Sequence, residues 1–104
     1  GPIVNGEAGS EPLGTRVRFE LRVERNRIQR ARFRAYGCPY TLATCNWLAE
    51  RLEGAMVAEA PPGGPEDWAR TLGIPLERLG RLLVVEDAVR AALGAAVIPE
   101  MARL

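Results

Sequence analysis

The sequence contains no histidine and no lysine, and it has only two cysteines among its 104 residues. Without histidine, a Ser-His-Asp triad, a Cys-His dyad and an imidazole metal ligand are all excluded. Two cysteines cannot fill a four-cysteine zinc site. Because nucleophilic hydrolysis then has no usual base, we expect a protein that is not an enzyme.

Long apolar runs are also missing, since none approaches the length of a membrane span. No signal peptide is visible, and the small number of cysteines favours a reducing, cytoplasmic environment. The length fits a single domain over residues 1–104, and 47% hydrophobic with 26% charged residues is typical of a globular protein. The net charge of +1 indicates no particular partner.

Two antiparallel strands are predicted between residues 15 and 36. Residues 15–24 alternate strictly, with one apolar face made by Val17, Phe19, Leu21 and Val23. Arg25-Asn26 predicts a tight turn, and residues 27–36 predict the return strand with Ala31, Phe33 and Ala35 on its apolar face. Ile28 has the wrong parity, since it is one position out of step with the alternation of Ala31, Phe33 and Ala35. This predicts a bulge. Residues 1–14 predict a flexible lead-in with a short edge strand at Ile3-Val4.

Helices are predicted for the rest of the chain. The first begins after Pro39 and ends at Gly54, with an apolar stripe of Leu42, Cys45, Leu48, Ala49 and Leu52. A short helix covers residues 65–72, and another helical segment runs from Pro75 toward Arg81. A longer helix covers residues 82–97, with one stripe of Leu82, Val85, Val89, Leu93 and Ala96, and Pro99 ends it or begins a tail.

The order of these elements predicts an α+β fold. About three antiparallel strands should form a small sheet, and three to four helices should pack on one of its faces. The expected core joins Phe19, Leu21, Val23 and Phe33 of the sheet to Leu42, Leu48, Leu52, Val85, Val89 and Leu93 of the helices.

Cys38 is the candidate functional residue because it stands at the corner between a strand and a helix. Gly37 permits unusual backbone angles, and Pro39 suits the first helical position. Unpaired backbone N–H groups and the positive end of the helix dipole favour a thiolate at Cys38. A small buried hydrophobic role is an equal alternative on spacing alone. Cys45 lies on the apolar stripe about 10 Å away, which is too far for a disulfide.

Arginines dominate the other face of the predicted sheet. Eight of the fourteen arginines lie between Arg16 and Arg34. We predict that this face binds an acidic partner through Arg16, Arg18, Arg30, Arg32 and Arg34. Nucleic acid is not expected, because Glu20 and Glu24 interrupt the arginines and no aromatic residue alternates with them for base stacking. A plain solvated face is the alternative.

Two stretches resemble the IscU/NifU-type iron–sulfur cluster assembly scaffolds. ARFRAYGC at residues 31–38, followed by the helix ending at Gly54, is similar to the central stretch of that family. IPLERLGRLLVVEDAVRAAL at residues 74–93 is similar to its final helix, especially at Glu86-Asp87-Ala88. The resemblance implies a small antiparallel sheet with helices on one face. It also implies a role in building [2Fe-2S] clusters from sulfur supplied by a cysteine desulfurase.

The family's cluster ligands are mostly replaced in this sequence. The family holds a nascent cluster with three cysteines plus a histidine or an aspartate. Carried over by the resemblance, these positions fall on Leu13, Thr15, Cys38, Gly80 and Arg81. Cys38 alone remains as a cofactor-binding and metal-binding residue. We therefore expect no stably bound cofactor, and at most a weak or transient iron–sulfur cluster shared by the Cys38 thiolates of two copies.

The resemblance implies a divergent, scaffold-like protein whose role in sulfur and cluster biogenesis centres on Cys38 as a persulfide acceptor. One alternative is a sulfur acceptor like SufE, which has the same fold and also places one reactive cysteine in a Gly-Cys corner. Another is a non-catalytic interaction module that kept the fold. The expected partners are a cysteine desulfurase or another iron–sulfur assembly protein, and a second copy in a homodimer; no membrane is expected.

Overall fold

Three antiparallel strands precede three α-helices in a computed structural model that describes the backbone of residues 2–101 and the side chains of residues 2–96. The elements are β1 (Ile3–Ser10), β2 (Thr15–Glu24), β3 (Arg27–Tyr36), α1 (Pro39–Leu52), α2 (Pro65–Leu72) and α3 (Leu79–Met101). Short 3₁₀ turns at Val57–Glu59 and Leu76–Arg78 precede α2 and α3. The strands form one sheet in the order β1-β2-β3. The predicted α+β class is confirmed.

The first strand is longer than the sequence predicts. It pairs with β2 over its whole length, from Ile3 opposite Arg22 to Ser10 opposite Thr15. Gly6 lies inside it, where glycine normally weakens a strand and signals a loop. A Cβ atom at Gly6 would collide with the backbone of α3 at Ala88 and Ala92. Glycine is therefore required, because strand and helix backbones touch directly.

The turn and the bulge between β2 and β3 are as predicted. Arg25 and Asn26 both have positive φ angles, 54° and 64°, which suits a two-residue hairpin turn. The register shifts by one residue next to the turn, between Arg22 and Val23. This bulge brings Ile28 back to the apolar face, where it is completely buried.

The core lies between the sheet and the helices. Phe19 is fully buried and packs on the half-buried Phe33, with ring centroids 6.0 Å apart. Trp68 of α2, which the sequence analysis did not assign to the core, is the largest fully buried side chain among the described residues. Its indole N–H donates to the carbonyl oxygen of Pro62 at 2.7 Å. The core therefore includes α2 as well as the two longer helices.

The core prediction is wrong for one residue. Leu42 is 42% exposed, whereas Thr41, Thr44, Cys45, Leu48 and Leu52 form the buried face of α1. The buried stripe begins one residue earlier than the apolar pattern suggests, because Thr41 and Thr44, which are not apolar, take the inner positions near the start of α1.

The helix ends agree with the sequence except in α3. Gly54 and Gly73 follow α1 and α2 with φ angles of 88° and 68°, as expected for glycine after a helix. The last helix begins at Leu79, three residues before the predicted start, and continues past Pro99 to Met101. None of the helices in the described part of the chain is both long and apolar enough to cross a membrane.

Candidate functional site

Cys38 is the N-terminal cap of α1, as the strand-to-helix corner predicts. Its backbone is extended, with φ −77° and ψ 167°, and Pro39 is the first helical residue. The thiol is partly exposed. A cap residue lies next to backbone N–H groups that have no partner within the helix. The fold therefore presents the sulfur atom to solvent beside the positive end of the helix dipole.

Gly37 is required for a different reason from the one expected. Its φ angle is not among the positive values found at five other glycines. A Cβ atom at Gly37 would lie 3.0–3.2 Å from three side-chain atoms of Thr41. Glycine at this corner gives Thr41 room to approach closely, and its backbone is not left-handed.

Thr41 is the nearest polar partner of the thiol. Its hydroxyl Oγ1 lies 3.5 Å from Cys38 Sγ, and the residue is fully buried. Burial is the largest single influence and raises the pKa of Cys38, but hydrogen bonds from the Thr41 side chain and from the backbone of Thr41 and Tyr40 oppose it. Together with the positive charge of Arg81 they hold the pKa of Cys38 below its ordinary value. Cys38 therefore ionises to the reactive thiolate more readily than an ordinary cysteine does.

Cys45 is the chemical opposite of Cys38. It is fully buried on the inner face of α1, and burial raises the pKa of its thiol to about 12. Both cysteines are free thiols. A buried, neutral thiol is a poor nucleophile, so Cys45 serves as a small hydrophobic residue.

The four replaced ligand positions lie together beside the first turn of α3. Leu13, Thr15, Gly80 and Arg81 line one shallow concave surface with Glu77 and Val84. Arg81 Nη1 donates to the hydroxyl of Thr15 at 2.6 Å and to the carbonyl oxygen of Leu13 at 3.2 Å. Because the charge of Arg81 also acts on Cys38, the thiol is part of the same neighbourhood.

These residues do not provide a ligand set for an iron–sulfur cluster. Such clusters are held mainly by cysteine thiolates, and here Cys38 is the one exposed thiol in the described part of the chain. The described residues contain no group of three Cys, His, Asp or Glu side chains that could hold a metal ion. At the replaced positions Leu13 offers an apolar side chain, Thr15 a hydroxyl group and Arg81 a permanent cation, and Gly80 has no side chain.

Residues 2–96 match the NifU-like N terminal domain family. The chain belongs to this family. The resemblance stated from the sequence is therefore confirmed, and the match extends over all the elements that carry the site.

Three NifU-like relatives illustrate the range of the family. The chain is 43% identical over 77 residues to the "Bifunctional protein NifU/MnmA" of Rubrobacter xylanophilus, and the aligned part covers 73% of this chain and 16% of that protein. It is 27% identical over 91 residues to "Iron sulfur cluster assembly protein 1" of Trachipleistophora hominis, covering 88% and 66%. It is 28% identical over 92 residues to "Iron-sulfur cluster assembly scaffold protein IscU" of Escherichia coli, covering 88% and 72%. The chain thus spans less than two thirds of the first two relatives.

The NifU-like sheet exposes the predicted arginine face on the side opposite the helices. The five predicted partner-binding residues are all exposed: Arg16, Arg18, Arg30, Arg32 and Arg34. Two of them are held by β1, since Arg16 forms an ion pair with Glu7 at 3.1 Å and Arg18 donates twice to Asn5 Oδ1 at 2.9 and 3.2 Å. The face ends at Tyr36, two residues before Cys38.

Like charges face each other across β2 and β3. Arg18 is directly opposite Arg34, and Arg22 is directly opposite Arg30. Such pairs are destabilising. Surface grooves lie between these side chains, with Glu20 as their shared acidic residue. The sheet therefore presents a concentrated positive surface that the fold itself does not neutralise.

Two features of the site were not predicted from the sequence. One is Thr41, whose position three residues after the cap was a usable signal, because residues there reach back to the cap. The other is the exposure of three apolar side chains within four residues of Cys38: Tyr36, Tyr40 and Leu42. Exposed apolar side chains beside a reactive group are available to contact a partner protein.

Proposed function

We propose that this NifU-like chain acts in iron–sulfur cluster assembly as a scaffold-like protein in which Cys38 receives sulfur, without holding a stable [2Fe-2S] cluster by itself. The observation that carries the proposal is the placement of Cys38, a partly exposed thiol at a helix N-terminus with no second thiolate beside it. The family and the names of its relatives support the pathway. Sulfur transfer needs only one nucleophilic thiolate, some exposure and a partner surface.

The chemical step is an exchange between a thiolate and a persulfide. The Cys38 thiolate attacks the outer sulfur atom of a Cys–S–SH group on the donor. The S–S bond of the donor breaks, a new S–S bond forms at Cys38, and the donor cysteine leaves as a thiolate. The proton stays on the transferred sulfur, so the products are Cys38–S–SH and the donor thiolate, and no external oxidant or reductant is needed. A cysteine desulfurase is the class of donor that carries such a group.

The residues around Cys38 support this step. Backbone N–H groups of Tyr40 and Thr41 stabilise negative charge on the sulfur, and the Thr41 hydroxyl lies on the same side. The product remains attached to the chain until another protein takes it. The chain is thus a stoichiometric carrier in our proposal and not a catalyst with its own turnover.

The arginine face supplies the charge for docking an acidic protein. The arginines on this face outnumber its glutamates, Glu7, Glu20 and Glu24, so the face carries a net positive charge. Its arginines are Arg16, Arg18, Arg22, Arg30, Arg32 and Arg34. Arginine binds carboxylates in a bidentate manner. Since Tyr36 connects the face to the corner at Cys38, an acidic partner bound there lies beside the thiol.

The test is anaerobic incubation of the wild-type protein with a cysteine desulfurase and cysteine. We expect Cys38, identified by peptide mass spectrometry, to gain one sulfur atom. The Cys38→Ala variant should gain none, and the Cys45→Ala variant should behave like the wild type. Failure of Cys38 to gain sulfur would leave the interaction-module alternative ahead.

Reconstitution with iron and sulfide tests the other half of the proposal. We expect no stable visible absorption and no stoichiometric iron. A stable brown protein with about two irons per chain, the content of a [2Fe-2S] cluster, would contradict it. A cluster that forms only in a dimer and is lost in Cys38→Ala would support the shared, weak cluster instead.

A further inference from the structure

Arg81 connects two parts of the chain that are far apart in sequence. The residues it bonds to, Leu13 and Thr15, precede it by 68 and 66 positions. Both bonds come from Nη1, so both hydrogens of that nitrogen are used. Hydrogen bonds from a charged donor are roughly twice as strong as neutral ones. The guanidinium is therefore a strong link between the β1–β2 turn and the start of α3.

The turn is shaped to receive this side chain. Gly14 has a φ angle of 72°, and a Cβ atom there would lie 3.6 Å from Arg81 Nη1. The guanidinium thus rests against the backbone of the turn. Two hydrogen bonds within the turn, Leu13 N–H to Ser10 and Gly14 N–H to Glu11, leave the Leu13 carbonyl for Arg81.

Thr15 would be unsatisfied without Arg81. It is 1% exposed, and Arg81 supplies the hydrogen bond that its hydroxyl oxygen accepts. A buried hydroxyl with no partner is costly. Arg81 and Thr15 are therefore a matched pair, and losing the arginine should loosen the turn.

We propose that Arg81 is a positioning residue that closes this site with hydrogen bonds in the place of a metal, and that it thereby keeps the site selective for sulfur against iron. The inference rests on the proposed function for its sulfur side, and its iron side rests on the hydrogen bonds of Arg81 together with the ligand positions that the family resemblance implies. Leu13, Thr15 and Arg81 are three positions at which a cluster site would need ligands. The guanidinium of Arg81 instead donates hydrogen bonds to the other two. A guanidinium stays protonated throughout the pH range of folded proteins and offers no lone pair to a metal.

The first arm of the test measures the turn. Hydrogen exchange of the Leu13 and Gly14 amides should become at least about tenfold faster in Arg81→Met, as expected when a charged hydrogen bond is lost locally. Core amides of Phe19 and Leu21 should not change. Arg81→Lys should keep part of the protection, because its ammonium group is still a charged hydrogen-bond donor but lacks the planar guanidinium. The control is Arg78→Met, which removes an exposed arginine three residues earlier.

The second arm measures iron after anaerobic reconstitution. The triple variant Leu13→Cys, Thr15→Asp and Arg81→Leu should bind iron together with Cys38. The double variant Leu13→Cys and Thr15→Asp, which keeps Arg81, should bind much less. Because leucine adds no ligand, the two variants offer the same ligands and differ only in the guanidinium of Arg81.

Three results would overturn the inference: unchanged exchange in Arg81→Met, equal iron in the double and triple variants, or no iron in either. None of these measurements involves sulfur transfer. Failure of Cys38 to gain sulfur in the wild type would therefore remove the proposed function while leaving the role of Arg81 against iron testable by itself.

Discussion

Two thiols on one helix have opposite chemistry because they occupy opposite environments. Cys38 stands at the open end of α1 beside Thr41, and Cys45 lies seven residues later in the core. The absence of lysine and histidine makes this contrast measurable. Between neutral pH and pH 9 the side chains that ordinarily titrate are the cysteines alone.

Alkylation should distinguish the two cysteines in the native protein. Because the pKa of Cys38 is lowered and the thiolate is the reacting form, iodoacetamide should modify Cys38 at a lower pH than it modifies a free cysteine peptide. The rate should rise with pH and level off above the pKa of Cys38. Peptide mass spectrometry should find Cys45 unmodified until the protein is unfolded. Equal rates at both sites would contradict the packing of α1.

Stability should decline at high pH because of Cys45. Its pKa is about 12 in the folded state against an ordinary value of 9.0, so the unfolded chain loses a proton that the folded chain keeps. The free energy of unfolding should therefore fall as pH rises past 9, by at most about 1.4 kcal/mol per pH unit. Urea unfolding at several pH values measures this slope.

The control for that slope compares the replacement of Cys45 with the replacement of Cys38. Cys45→Ala lowers stability at every pH but should flatten the slope above pH 9. Cys38→Ala should keep the decline, since the pKa of Cys38 is shifted in the other direction. A slope that survives in Cys45→Ala would show that the thiol of Cys45 does not cause the decline.

At the scale of single elements, the phase of α1 decides which residues carry stability. The helix buries Leu48 and Leu52 against the sheet and turns Leu42 toward solvent. The two faces of the helix thus differ in their contribution to stability, since the buried face holds the core and Leu42 lies on the exposed face.

Leu52→Ala and Leu42→Ala form a matched pair on this helix. Leu52 is fully buried, so its truncation should cost about 2–4 kcal/mol. Leu42 is 42% exposed, and its truncation should change the free energy of unfolding by less than about 0.5 kcal/mol. Chemical denaturation measures both. Similar costs for the two variants would mean that the helix phase is wrong.

Charge reversal tests the outer face of the sheet as a docking surface. In Arg18→Glu with Arg32→Glu, two exposed positions change sign, so folding should be kept. Sulfur transfer from a cysteine desulfurase to Cys38 should become slower mainly through the association rate, and the difference should shrink as salt rises. Arg70→Glu with Arg90→Glu makes the same net change on exposed helical positions and should have little effect. Equal effects of the two double variants on sulfur transfer would favour the alternative that the sheet face is a plain solvated surface.

For the whole molecule, the sequence predicted what depends on local pattern and missed what depends on distant contacts. Strict alternation was enough for β2 and β3, and the parity of Ile28 was enough for the bulge. The length of β1 was missed because Gly6 contacts the backbone of α3, a requirement that no local rule contains. The corner at Cys38 was predicted from Gly37 and Pro39.

The environment of that corner could not be predicted in the same way. The bonds of Arg81 to Leu13 and Thr15 join residues that only the folded chain brings together. The burial of Thr41 depends on how α1 rotates against the sheet. The identity of the reactive residue is thus local information, whereas its surroundings are a property of the fold.

The direct contact of Gly6 with Ala88 and Ala92 also determines the order in which the fold can be completed. β1 and α3 are neighbours in space but are far apart in sequence. Until α3 packs on the sheet, β1 and β2 lack the helix that covers them, and exposed apolar strands of this kind are prone to aggregate. Closure over such a large sequence separation is slow. Docking of α3 on β1 should therefore be a late step in the folding of this chain.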